Sequence, residues 1–401
     1  MTSPAASAPA ISPGVRSGRR AAMVALALGG FGIGTTEFVA MGLLPEMAAG
    51  LGVSEPTAGH VISAYALGVV VGAPLLAALT ARIPRRTLLI ALMIAFTVGN
   101  AASVFAPSYE TLMLARFVAG LPHGAYFGVA ALVAAHLAEP GKRAKAVAMV
   151  MMGLSVANVV GVPVAAWLGQ TVGWRSAFAL VAVIGVATVL SLLIWIPQLD
   201  AMPASNPITE LGALGRPQVW MTLIVGMVGF GGMFAVYTYI STTLTDVSGL
   251  GTSFIPLALM LYGLGMVAGN FVGGYLADRA LMKGLFISMA SLAIVLAIFV
   301  LAVRNPYTAL VFVFLIGLAG SSMVPGLQTR LMDVAEDAQT LAASLNHAAL
   351  NIANAFGAWI GGVVIAAGYG YTAPAAVGSL LAVAGLVVLA AAVIMARRAA
   401  N

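Results

Sequence analysis

Two side chains carry a permanent charge into otherwise apolar sequence, the carboxylate of Glu37 and the guanidinium of Arg116. An ionised group near a bilayer centre costs at least ~2.5–3.5 kcal/mol on insertion scales. It is kept where it lines a pathway, carries protons or pairs with another charge. A neighbouring cation and burial act on a carboxylate in opposite senses, so the proton affinity of such an acid depends on conformation. That is the requirement for a proton-coupled carrier. A fixed buried ion pair that orders the first half of the chain is the alternative. With ~1.5 Å rise per residue, Glu37 lies about 6 Å to the outer side of its segment's midpoint and Arg116 about 9 Å, so the two stand level.

Other polar residues fall at helical spacing. Arg116, Gly120 and His123 are at i, i+4 and i+7 and share one helix face. His347, Asn351 and Asn354 repeat the pattern, with Asn346 beside them. A polar stripe on an apolar helix faces the protein interior or a water-filled cavity rather than lipid. With Asn158 it suggests a hydrogen-bonding site for a polar organic molecule. The competing account is bonding between helices, worth only ~0.6 kcal/mol on average in membranes.

The elements that must position these groups are membrane spans. Hydrophobic residues make up 61% of the 401-residue chain and charged residues 7%, against roughly 25% charged in a soluble domain. Apolar segments of about 20 residues or more lie near 21–44, 57–79, 87–106, 111–135, 145–168, 176–196, 218–242, 254–277, 284–303, 307–328, 340–367 and 374–396. An all-α membrane protein with twelve transmembrane helices is expected. The net charge of +6 reports topology rather than nucleic-acid binding. Fifteen of the 18 basic residues fall on one side, Arg175 and Arg304 on the other, and Arg116 within a span. The positive-inside rule then places both termini and the central loop in the cytoplasm. Residues 1–20 are rich in Ser, Ala and Pro and read as a disordered cytoplasmic tail, not a cleaved signal. With no cysteine and four scattered histidines, neither a metal site nor any cofactor is expected. A monomer in the lipid bilayer is expected.

An internal repeat offset by about 197 residues relates the two halves. Val156-Ala157-Asn158-Val159-Val160-Gly161 recurs as Ile352-Ala353-Asn354-Ala355-Phe356-Gly357, Arg82 matches Arg279, and Gly120 matches Gly317. Six spans per copy leave both copies in one orientation, a parallel repeat with its substrate site at the midplane between halves. The expected organisation is a six-helix bundle over 21–196, a polar cytoplasmic linker over 197–217 and a second bundle over 218–398.

Gly32-Ile33-Gly34-Thr35-Thr36-Glu37-Phe38-Val39-Ala40-Met41-Gly42-Leu43-Leu44-Pro45, Ile62-Ser63-Ala64-Tyr65-Ala66-Leu67-Gly68-Val69 and Gly72-Ala73-Pro74-Leu75 resemble the major facilitator superfamily. Within it they are most similar to the twelve-span drug:proton antiporter branch and its AraJ-like and YdhP-like bacterial efflux members, over nearly the whole chain. The resemblance implies a bacterial inner-membrane protein, alternating access between two bundles, and export of small organic molecules against protons. Ala115-Arg116-Phe117-Val118-Ala119-Gly120 is similar to the family's Arg-x-x-x-Gly motif of proton coupling. Gly161 and Pro163 resemble the antiporter motif of the fifth span, with Val162 intervening. Small residues there permit close helix contact and the proline favours a kink, as a gate hinge would use or as ordinary helix packing would. Gly274-Tyr275-Leu276-Ala277-Asp278-Arg279 keeps the family's signature loop, whose Asp and Arg latch neighbouring helix ends. At the first-half counterpart, alanine replaces the acid before Arg82, which leaves Arg82, Arg85 and Arg86 as latch or as topology signals alone. Aromatic residues including Phe38, Tyr65, Tyr126, Phe234, Tyr237 and Tyr262 lie in spans that line the cavity in this family. Ligand pockets are mainly apolar and aromatic with a few polar groups, so a moderately hydrophobic substrate such as a drug, sugar or related metabolite is expected. His123, Tyr126, Asn158, Tyr237, His347, Asn351 and Asn354 are the candidate contacts. A membrane-embedded enzyme lacks a clustered catalytic set here, and a channel leaves the duplication unexplained. A facilitator or importer of the same fold is the alternative.

Overall fold

In the computed structural model, residues 13–80, 83–139, 143–199, 212–335 and 339–400 are described, and they are helical apart from short turns. Lipid offers no hydrogen bonds, so an apolar chain must satisfy its backbone within each span, and helices do this. Eleven helices among the described residues are long and apolar enough to cross a membrane: Gly18–Gly42, Glu55–Ala73, Arg85–Phe105, Tyr109–Leu137, Ala146–Val172, Arg175–Trp195, Pro217–Thr238, Thr252–Ala302, Pro306–Ala335, Leu345–Tyr369 and Ala373–Arg398. The eighth of these, 51 residues long, is two passes. Helix Ile255–Ala302 leaves helical geometry at Ala280 (φ −161°, ψ 78°), and at ~1.5 Å per residue it is more than twice the hydrocarbon thickness of about 30 Å. The eighth and ninth spans are thus joined by one sharp kink instead of the expected loop.

One further expectation differs. The first helix begins at Pro13, inside the stretch read as a disordered tail. Proline suits a helix's first turn, and Arg16, Arg19 and Arg20 are good helix formers, while Gly14 and Gly18 are not. Residues 1–12, most of the linker (200–211) and Arg82 lie outside the described residues. Three spans that start at the end opposite the termini carry side-chain caps: Ser54 accepts from the Thr57 amide, Ser108 forms a capping box with Thr111, and Asn305 accepts from the Tyr307 amide. We call that end the far end and the end with both termini the near end.

The two halves pack by the same contacts. In the first, Gly68 faces the Phe117 carbonyl and Gly120 the Tyr65 carbonyl, pressing the second and fourth spans backbone to backbone. In the second, Gly265 faces the Phe314 carbonyl and Gly317 the Tyr262 carbonyl, so the eighth and tenth spans reproduce the pair at the repeat offset. A Cβ at any of the four would meet backbone, which is why glycine occupies them. The bundles meet along two seams, the second span against the eleventh and the fifth against the eighth. At the first seam Ser63 donates to the Ala355 carbonyl at 3.1 Å. Beside it, His60, Leu67, Phe117, Phe356 and Trp359 help line a groove of about 600 Å³ on the outer face of the molecule. Leu67, Phe356 and Trp359 are exposed there, as lipid-facing side chains are. At the second seam Gly263 abuts the Asn158 carbonyl.

At the far end the seam is tied by hydrogen bonds. Thr242 Oγ1, closing the seventh span, donates to Glu55 Oε2 at 2.5 Å, and the Tyr371 hydroxyl also bonds that carboxylate. Toward the near end the first half's Phe127 ring stacks flush on the second half's His347, centroids 5.6 Å apart with 2° between planes.

Candidate functional site

Arg116 is wholly buried, and its donors go to the residue before Glu37. Nη1 donates to Thr36 Oγ1 at 2.8 Å and Nη2 to the Thr36 carbonyl at 2.9 Å, while Thr36 Oγ1 in turn donates to Asn100 Oδ1 at 2.5 Å. The guanidinium lies 4.3 Å from the Tyr65 ring centroid and 5.1 Å from that of Phe178, a cation–π sandwich. Four spans of the first bundle therefore hold the cation in addition to its own. No ion pair within 4.0 Å joins it to Glu37. The fixed Glu37–Arg116 bridge weighed from the sequence is absent because successive residues point about 100° apart around a helix, and Thr36, not Glu37, faces the fourth span.

Glu37 is 7% exposed, and burial and the Arg116 charge, with no hydrogen bond from a described residue, make up its surroundings. It lies within electrostatic reach of Arg116, Tyr65 and, across the bundle interface, Tyr262. The next residue, Phe38, meets the second bundle directly, its ring 6.0 Å from Tyr237 edge-on and 6.3 Å from Phe234. Tyr237 and Tyr262 stack at 3.7 Å with both hydroxyls unpartnered.

Most of the remaining candidates share that condition. Asn158 and Asn351 donate only to carbonyls of their own helices, Leu154 and His347, and their Oδ1 atoms are unpartnered. Both amide atoms of Asn354, 1% exposed, are unpartnered too. A buried polar atom left unpaired costs about 1–3 kcal/mol, and these lie on the fifth, seventh, eighth and eleventh spans, on both sides of the interface. They make no hydrogen bonds between helices among the described residues, such as the gluing account calls for. Asn346 does bridge spans, donating to Gln328 at 2.7 Å.

Other candidates are placed differently. The Tyr126 hydroxyl donates to the Leu26 carbonyl at 2.9 Å and its ring packs on Gly29, so it ties the first and fourth spans together instead of facing a cavity. His123 pairs with the Tyr65 hydroxyl at 3.1 Å. Gly161 ends a π-helical turn, Ala157–Gly161, just before Pro163, and has no room for a side chain against Thr35 and Phe31. A proline without a backbone donor next to such a turn is a site of helix bending. Asp278 and Arg279 are exposed, and Arg279 lies 4.4 Å over its own helix's Tyr275; no ion pair latches either residue to a neighbouring helix among the described residues.

A model of the Major Facilitator Superfamily matches residues 26–303 and 251–401. The chain belongs to the major facilitator superfamily. It is 46% identical over 370 residues, 92% of this chain and 94% of the other, to the inner membrane transport protein YdhP of Escherichia coli (strain K12). It is 35% identical to a chloramphenicol resistance protein of Streptomyces lividans, over 88% of this chain and 92% of that one. Among solved structures the crystal structure of a D-xylose–proton symporter superposes with TM-score 0.72 at 18% identity, covering 91% of this chain and 97% of that one. The protein is thus a multi-pass membrane transporter, and its all-α, two-bundle fold is that of the superfamily.

The sequence did not single out the residues that anchor Arg116. Thr36, Asn100 and Phe178 are scattered over three spans, and only tertiary packing unites them. Asn100, an amide within an apolar helix, was the available signal.

Proposed function

We propose that this transporter is a proton-coupled exporter of small, moderately hydrophobic organic molecules, with Glu37 as its coupling carboxylate. The observation that carries the reading is the state of Glu37: buried, without a protein hydrogen bond, beside a residue clamped by Arg116, and at the surface where the bundles meet. An acid so placed exchanges its proton when the bundles move, because Tyr262, within its electrostatic reach across the interface, moves with the second bundle. Arg116 sets the local field and cannot follow, being bonded to Thr36 and sandwiched by Tyr65 and Phe178. The unpartnered Asn158, Tyr237, Asn351 and Asn354 atoms together with the Phe38, Phe230 and Phe234 rings give an aromatic site with a few polar groups, which suits a drug- or sugar-sized molecule. The near end, with the basic residues, is then cytoplasmic, and the membrane is the bacterial inner membrane. The chloramphenicol resistance relative supports export of drugs. Proton-coupled import on the same fold is the second reading, favoured by the likeness to a symporter.

The test uses proteoliposomes and a compound picked from a growth screen of an expressing strain. Glu37→Gln retains shape and cannot ionise. It is expected to abolish accumulation driven by a pH gradient while leaving downhill exchange. Full gradient-driven transport by Glu37→Gln overturns the assignment, and uptake with the proton gradient, in place of export against it, selects the import reading.

A further inference from the structure

Tyr65 touches two things at once. Its ring lies under the Arg116 guanidinium at 4.3 Å, within electrostatic reach of Glu37, and its hydroxyl meets His123 Nδ1 at 3.1 Å. Both residues are almost wholly buried, at 1% and 2% exposure. His123 follows Arg116 by seven residues on the same helix face, so it lies about 10 Å nearer the near end. The next turn brings Phe127, 5.4 Å from the His123 ring and stacked on His347 of the other bundle. A line of groups thus descends from the level of Glu37 to the near-end seam.

Packing alone does not call for the histidine. The second and fourth spans are already pressed together by Gly68 and Gly120. The second bundle repeats that contact with Gly265 and Gly317, keeps Tyr262 where the first has Tyr65, and has Gly320 at the position of His123 and Val313 at that of Arg116. There the space beside Gly320 is taken by Met233, and the Tyr262 hydroxyl has no partner. The same helix pair therefore forms with a glycine and a methionine, and the first bundle alone combines tyrosine, histidine and a level cation.

We infer that Tyr65 and His123 form the near-end limb of the proton path, carrying the proton between Glu37 and the near-end solution. This rests on the coupling role given to Glu37 above. In the release direction the Glu37 carboxylic acid yields its proton, through cavity water, to the Tyr65 hydroxyl oxygen. The Tyr65 O–H proton passes to His123 Nδ1, and His123 yields its Nε2 proton to water toward the near end. One proton enters and one leaves, and exchange of the ring tautomer resets the pair. The titratable groups facing His123 are Tyr65 from the second span and His347 from the eleventh span, while Arg116 lies two turns away on its own helix.

The experiment follows the protonated-carboxyl infrared band of the reconstituted full chain after a pH jump, with protons as the only probe. The band that disappears in Glu37→Gln identifies the acid. His123→Gln keeps a hydrogen-bonding side chain beside Tyr65 and cannot relay; Tyr65→Phe keeps the ring over Arg116 and removes the hydroxyl. Each is expected to slow the rate of the Glu37 band by about a hundredfold, the low end of what a positioned proton acceptor contributes, with the band's pH midpoint and the melting temperature little changed. Rates like those of the unaltered protein in both variants overturn the relay while the Glu37 band stands. Absence of any pH-dependent band lost in Glu37→Gln overturns the coupling reading itself. A variant that loses its melting transition is replaced by His123→Asn, to which the same two outcomes apply.

Discussion

The far-end tie between Thr242 and Glu55 gives a measurable handle on the conformational equilibrium. The hydroxyl donates to the carboxylate across the bundle interface at 2.5 Å, and Thr242 is 4% exposed. Thr242→Val keeps the shape and deletes the donor. A hydrogen bond to a charged group contributes ~1.5–3 kcal/mol. Glu55 is only partly buried and retains Tyr371, so water and the tyrosine take over part of the loss, which brings it to about 1.4 kcal/mol, just under that range. That is a tenfold change in the ratio of far-end-open to far-end-closed molecules. If 1 molecule in ~100 is open beforehand, about 1 in 10 becomes open. The chain has no cysteine of its own, so spin labels can be placed at the exposed far-end positions of Glu110 in the first bundle and Ser253 in the second. Pulsed electron paramagnetic resonance then reads the population of the long-distance component with and without Thr242→Val. A population changed by less than about twofold would show that the tie is incidental, and that the seam is held by the glycine contact at Gly263 and by Ser63 instead.

Two further outcomes are expected. Glu46 lies between the first two spans, where burial raises its carboxyl above the usual value of 4.5 against the lowering effect of its own backbone amide and of Gln170. Its folded proton affinity exceeds the unfolded one, so its contribution to stability is full below pH 4.5 and is lost as pH rises through the raised value. Glu46→Gln should therefore melt higher than the unaltered protein at neutral pH, with the two curves converging in acid. Gly120→Val would push a side chain into the Tyr65 carbonyl, an overpacking that costs about 1–3 kcal/mol or more, and is expected to lower the monodisperse fraction and melting temperature in detergent. Gly274→Val, where nothing lies near, should leave both unchanged.

The features legible in the sequence were those that a single helix expresses by itself. Span positions follow from apolar length, the halves from repeated residues, and Glu37 and Arg116 from being the wrong polarity for their surroundings. Contacts between helices were not legible. Level placement suggested that Arg116 faces Glu37, yet one residue of rotation gave its donors to Thr36. Tyr126 has the composition of a pocket residue, and only its reach to the Leu26 carbonyl shows that it is a strut. The stripe at Asn351 and Asn354 was visible from spacing, whereas the absence of bonds from it to other helices depends on where the seventh and second spans lie. The kink at Ala280 left no mark because alanine has no conformational preference for it.

The groove beside Ser63 sits between helices of different bundles and opens to the outer, lipid-facing surface. Any rocking of one bundle against the other must change its volume, and in a bilayer what fills about 600 Å³ of apolar space is hydrocarbon. On the alternating-access reading proposed above, acyl chains would be displaced and readmitted as the bundles rock. The bilayer's lateral packing then becomes a mechanical load on that motion, felt at the groove beside Ser63.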